Sequence, residues 1–139
     1  MTDMTAPFRE ALPGDISPYN PDGDMSALEY CFVQLDTTRA RTVQAFSSGH
    51  PVGVLCNRPT ETATSTNFSI TALVQWRGKA LVKTGSSGLA VGDLVKVGTG
   101  GVGDKATPTS KDIIVGQCEV AAAAGLPATV RLFTYQANI

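Results

Sequence analysis

Hydrophobic and polar positions alternate most cleanly between Phe68 and Val97, where three runs rich in Val, Leu, Ile and Trp are separated by turn residues. In Ser69–Trp76, Ile70, Ala72, Val74 and Trp76 share one face, and Ser69, Thr71, Leu73 and Gln75 take the other. That is the two-residue period of a strand, and it puts the tryptophan in the core. Arg77-Gly78 reads as a hairpin turn into a second strand, Lys79–Lys83, with Gly78 able to take positive φ at no steric cost. Gly85–Gly88 reads as a loop, and Gly92-Asp93 as a sharp turn feeding a third strand, Leu94–Val97.

The same period recurs on either side. Leu28–Asp36, Thr42–Phe46, Val52–Asn57, Ile113–Val120 and Ala128–Tyr135 read as strands. Both faces of the first are largely apolar, which predicts a central strand or one covered on its second side. Gly53 inside its strand predicts a close backbone approach or a bulge, and Gly116 interrupts another. Arg58–Thr66 and Asp104–Asp112 read as loops. Ala121–Ala124 before Gly125 fits either one helical turn or a tight extended passage. About seven to nine short strands, with turns every eight to twelve residues, predict an all-β fold: a small barrel or a compact β-sandwich.

Residues Met1–Ser26 break the pattern. Pro7, Pro13, Pro18 and Pro21 with Gly14 and Gly23 leave only scattered apolar side chains, which predicts an extended N-terminal arm (1–26) outside a β-rich body (27–139). Phe8, Leu12, Ile16 and Tyr19 are the groups with which such an arm would anchor on a partner; the other reading is a frayed terminus.

Composition narrows the function. A chain of 139 residues is most simply one domain. Only 17% of residues are charged, and the formal net charge is −1 without a basic block, a poor start for tracking a phosphate backbone. No apolar run is long enough to span a membrane, and no conventional secretion signal opens the chain. Cys31, Cys56 and Cys118 are an odd number at wide spacing inside apolar runs, which reads as buried free thiols in a reducing compartment.

Candidate chemistry is sparse. Gly98–Gly103 satisfies GxGxxG, but Pro108 follows too soon for the helix that a dinucleotide site needs, so a Gly-rich turn is the better reading. His50, alone between Gly49 and Pro51, reads as a solvated ring and offers neither a histidine-based triad nor an ordinary histidine zinc site. Asp93, Asp104, Asp112 and Glu119 are the carboxylates to test for convergence. Loop aspartates more often cap their own turn amides. No catalytic, cofactor-binding or metal-ligating set is assigned.

The order of features resembles the small β-rich head decoration, or capsid cement, proteins of tailed bacteriophages. The residues that carry the resemblance are Gly49-His50-Pro51-Val52-Gly53-Val54-Leu55, then Val74-Gln75-Trp76-Arg77-Gly78-Lys79-Ala80 and Gly88-Leu89-Ala90-Val91-Gly92-Asp93-Leu94-Val95. Ile114-Val115-Gly116-Gln117-Cys118 follows, and Ala121–Gly125 leads into Ala128-Thr129-Val130-Arg131-Leu132. The resemblance implies a non-enzymatic virion protein, made in the host cytoplasm, that binds the outer surface of an assembled capsid as a homotrimer and stabilises the expanded shell. Its partners would be the major capsid protein and its own copies, with no direct nucleic-acid contact, membrane or cofactor. Met1–Ser26 would be the capsid-contacting arm. The competing readings are a carbohydrate-binding or adhesion domain, which needs Trp76 exposed beside polar groups in a groove, and a hydrolase, which needs the loop aspartates in one cleft.

Overall fold

The computed structural model describes residues 15–59, 71–107 and 112–138. Among them are ten strands: β1 (Ile16–Pro21), β2 (Phe32–Leu35), β3 (Thr42–Ala45), β4 (Gly53–Leu55), β5 (Ala72–Gln75), β6 (Gly78–Lys83), β7 (Leu94–Val97), β8 (Gly103–Lys105), β9 (Ile113–Val120) and β10 (Pro127–Asn138). The helical elements among the described residues are two short 3-10 turns, Ser26–Leu28 and Thr99–Gly101. The all-β expectation is borne out.

The first five strands close into a barrel in the order β1-β3-β2-β4-β5, and the other five form a sheet in the order β6-β10-β9-β7-β8. All pairs in the barrel are antiparallel except β1 with β3. The two edge strands of the sheet touch at one place, where Thr84, just past β6, bridges Gly103 at the start of β8.

The arm expected over Met1–Ser26 is corrected by β1. Ile16 to Tyr19 pair with Gln75 to Ala72, Asn20-Pro21 pair with Thr42-Val43, and Met25 is buried in the barrel core. Prolines are tolerated here because the ladder asks no donor of them. Opposite Pro18, the Leu73 N–H donates to Asn57 Oδ1 and the Leu73 carbonyl accepts from the Cys56 N–H, so both point away from β1. Residues 1–14, with Phe8 and Leu12, lie outside the described residues.

The barrel core consists of Met25, Val33, Val43, Leu55, Ala72 and Val74, with Tyr19, Leu28 and Val52 packed on it. A larger core fills the sheet, and it includes Phe32 and Val54 from barrel strands β2 and β4. The outer wall of the barrel is therefore also the lid of the sheet. This explains why Leu28–Asp36 reads as apolar on both faces. The strand itself starts later than expected, because Tyr30 takes φ +67 and holds the chain out of extended geometry until Cys31.

The hairpin expected at Arg77-Gly78 is a crossover instead. Gly78 does take positive φ, +86, but β5 pairs with β1 and β4 in the barrel while β6 pairs with β10 in the sheet. Gln75 holds the junction. Its buried side-chain amide donates to the carbonyls of Arg77 (2.9 Å) and Lys79 (3.1 Å). Turning Gln75 inward directly after buried Val74 breaks the alternation by one position. Trp76 consequently faces out and is 38% exposed, which corrects its expected place in the core.

Gly53 makes the close approach expected of it, since a Cβ there would strike the carbonyl oxygen of Gln75. Gly116 lies inside β9 without ending it, and a Cβ there would come within 2.7 Å of Val130 Cγ1. Part of the expected loop Asp104–Asp112 is strand β8. Ala121–Ala124 is an extended passage and turn, with Ala122 bridged to Leu89. The Ser69–Ile70 part of the expected strand and most of the Arg58–Thr66 loop lie outside the described residues.

Candidate functional site

Two shallow depressions line the seam between barrel and sheet, and a third adjoins them on the barrel. The loop after β3 forms one wall. Gln34, on the outer face of β2, anchors this loop through its Oε1, which accepts the N–H groups of Ser47 (2.8 Å) and Ser48 (3.3 Å). Phe46, Ser47, Gly49 and Pro51 then face Lys96, Val97, Asp112, Ile113 and Val115 across a cleft of about 350 Å³. The cleft continues one way past Gly98, Thr99 and Asp104. In the other direction it runs into a depression beside Leu35, Thr37, His50 and Val52.

The carboxylates do not assemble as a catalytic set. Asp104 and Asp112 share this cleft, with Lys96 Nζ 3.4 Å from Asp112 Oδ2. Asp93 lies elsewhere. It pairs with Lys105 at 3.8 Å, and its other oxygen accepts the Ala90 N–H, capping its own turn. Glu119 pairs with Lys79 and Arg131. Among the described residues no three His, Cys, Asp or Glu side chains group as metal ligands. His50 is exposed in its turn. No helix opens after the Gly98–Gly103 run, which makes a tight turn; a Cβ on Gly101 would collide with the Phe32 carbonyl oxygen.

The cysteines are free. Burial raises the thiol pKa of Cys31 against the opposing charge of Lys83, and burial with the nearby negative charge of Asp93 raises that of Cys118. Neither thiol is activated as a nucleophile. Cys56 is only half-buried, which departs from the expectation of three buried thiols.

A second feature gathers where β1 begins. The Asp15 side chain is 3% exposed and accepts from Arg77 Nε at 2.7 Å. The Asp15 carbonyl accepts the Trp76 N–H at 3.0 Å, and the Arg77 guanidinium lies 4.7 Å from the centroid of the Trp76 ring. Asp15, Trp76 and Arg77 thus clamp the start of β1. Of the four expected anchors, Ile16 and Tyr19 sit in the barrel wall beside this clamp, with Tyr19 packed on the core. Asp15 and Arg77 had no local signal in the sequence, since 62 positions separate them.

No protein-family model matches the chain, and no curated protein matches it in sequence. Among solved structures, the chain is similar in fold to the head fiber gp8.5 N base of bacteriophage phi29, with a TM-score of 0.63 and 12% identity. The likeness covers 87% of this chain and 95% of that one. At this identity it is a likeness of fold.

Proposed function

We propose that this chain is a structural protein of a bacteriophage virion, a base that sits on the outer surface of the assembled head. The observation that carries the reading is the extent of the fold likeness, which takes in nearly the whole of the phi29 head fiber N base and both halves of this chain. The features of the molecule agree with a role in joining surfaces. The seam clefts are shallow, Asp93, Asp112 and Glu119 each sit beside a lysine, and Cys31 and Cys118 are buried thiols whose pKa values burial raises.

In this reading the major capsid protein is the partner, residues 1–14 form the attaching arm, and several copies act together as a homotrimer that stabilises the expanded shell. An extended arm adds main-chain hydrogen bonds on a partner's sheet edge without a preformed groove. Ordering it costs about 1–2 kcal/mol per residue, so several arms from one oligomer hold better than one. The carbohydrate-binding reading fares worse, because the exposed Trp76 ring lies under Arg77 and lines none of the clefts described above.

The test is co-sedimentation of the purified protein with expanded heads stripped of accessory proteins. Saturable binding to heads, with little to free capsid protein, is expected, and coated heads should survive heating that ruptures bare ones. Absence of binding overturns the proposal; binding without protection removes the stabilising role. Deleting residues 2–14 should abolish attachment and leave the melting temperature unchanged, whereas undiminished binding would refute the arm.

A further inference from the structure

Arg41, in the barrel wall, stands apart from the other described arginines. Arg39 pairs with Asp22 and Asp36, Arg58 with Glu29, Arg77 with Asp15 and Arg131 with Glu119, whereas Arg41 pairs with no carboxylate among the described residues. Asp36, the acid closest to it in the chain, is already held by Arg39. The backbone of Arg41 is unusual as well. It takes φ +56, a left-handed conformation that glycine adopts without steric cost and an arginine does not. Bonds on both sides fix it there: the Arg41 carbonyl accepts the Asn20 N–H at 2.7 Å, and the Thr42 hydroxyl donates to the Ala40 carbonyl at 3.1 Å.

Beside Arg41 the strand β1 changes neighbours. It pairs with β5 as far as Tyr19 opposite Ala72, and with β3 from Asn20 opposite Thr42. A depression of about 110 Å³ lies at this change, lined by Pro18, Tyr19, Asn20, Arg41 and Thr71. The Tyr19 phenol, the Asn20 amide and the Thr71 hydroxyl make no hydrogen bond to another described residue. The depression therefore gathers a guanidinium and three further donors, and no carboxylate lines it.

We propose that this depression is a binding site for a carboxylate, presented by an aspartate or glutamate side chain of a partner protein. A guanidinium fork matches the two oxygens of a carboxylate and balances its single charge. The phenol, amide and hydroxyl carry donors for the lone pairs that the fork leaves, and Pro18 with the Tyr19 ring offers apolar surface to the methylenes behind the acid. Because the backbone beneath Arg41 is already fixed, little of it has to be ordered on binding. A position that glycine would occupy with less strain, filled instead by an arginine without a carboxylate, points to a contact made with another molecule. The inference is independent of the virion role and names the chemistry that a partner segment would bring.

Nuclear magnetic resonance of the full chain tests it, following the Arg41 Nε–H and the backbone amides of Asn20 and Thr71 during titration. The ligands are a capped tripeptide with a central glutamate, glutarate, the neutral isostere glutaramide, and inorganic phosphate. Saturable shifts at these groups are expected with the peptide and with glutarate, half-complete at about 1–10 mM as suits a single charge-assisted fork, and none with glutaramide. Arg41→Gly should weaken the response by about tenfold or more without lowering the melting temperature, since glycine suits the backbone there; this separates a lost site from a lost fold. Arg58→Gln, a change at an arginine already engaged by Glu29, should leave the shifts unaltered. Absence of saturable shifts, an equal response to glutaramide, or full binding by Arg41→Gly overturns the site. Phosphate binding more tightly than either carboxylate, or glutarate binding where the peptide does not, would make it a site for small free anions and overturn the protein side chain as its ligand.

Discussion

The barrel and the sheet contain five strands each, yet they reach stability differently. Among the described residues the barrel's core cluster has six buried members and the sheet's has eleven, two of them lent by the barrel. The barrel also relies on devices that the sheet lacks: the buried Asp15 paired to Arg77, non-glycine residues Tyr30 and Arg41 at positive φ, and a parallel strand pair. Strands pass close to one another at a glycine in both halves, at Gly53 in the barrel and at Gly116 in the sheet. A small barrel has little interior to fill, so it gains specificity from polar clamps and from sharing its wall with a neighbour. Because Phe32 and Val54 serve the sheet's core from barrel strands, the two halves should unfold as one unit.

The largest effect should come from the glycine contact in the sheet. Gly116→Ala drives a Cβ into Val130 Cγ1 and the Arg131 backbone and is expected to cost about 3 kcal/mol. Denaturant unfolding followed by Trp76 fluorescence, which reports the crossover, and by far-ultraviolet circular dichroism should shift together. Separate transitions would break the shared-core picture. Next is Gln75→Leu at the crossover, which keeps volume but leaves the Arg77 and Lys79 carbonyls without their amide donor. A loss of about 2–3 kcal/mol is expected, and a loss below half of one would mean that the junction does not depend on this side chain.

Asp15→Ala should destabilise the barrel by about 2 kcal/mol, short of a fully buried pair because Arg77 remains half exposed. Fluorescence of Trp76 should change as Arg77 leaves its ring. A smaller, pH-dependent contribution comes from Asp36, whose carboxyl is held well below the ordinary carboxylate range by the Thr38 N–H, then the Thr38 hydroxyl, then Arg39. With the folded pKa depressed, the contribution is present above about pH 4 and is lost as pH falls below it. Asp36→Asn should therefore flatten the acid limb of the stability curve, and an unchanged limb would assign that slope to other groups.

The thiols give the gentlest probe. Under native conditions Cys56 should react with a thiol reagent first, and Cys31 and Cys118 only on unfolding. Their raised folded pKa values keep them neutral as pH rises past about 8.5, where unfolded thiols ionise, so stability should begin to decline there. Equal reaction rates for all three would show that the sheet opens locally, contrary to a single cooperative unit.

How much of this was legible depends on the length of the pattern. Strands β6, β7, β9 and β10, four residues or longer and nearly free of proline, show in the alternation of Lys79–Lys83, Leu94–Val97, Ile113–Val120 and Ala128–Tyr135, and their glycines mark the close approaches. β1 reads as part of an arm because Pro18 and Pro21 remove donors, and only the ladder shows that these donors are not needed. β8, three residues beside a glycine run, has no period long enough to see. The cleft beside Lys96 and Asp112 and the clamp at Asp15 join residues far apart in the chain, and neither has a local signature.

Sequence alone determined the class of the molecule: alternation with short connections dictates strands, and low charge without a metal or nucleophile constellation sets aside most chemistry. Tertiary structure decided which strands join which sheet, turned Trp76 outward, and brought Arg41 together with Tyr19, Asn20 and Thr71. Side-chain period is a local property of the backbone, whereas sheet membership and surface depend on hydrogen bonds between segments dozens of residues apart, whose partners no local pattern specifies.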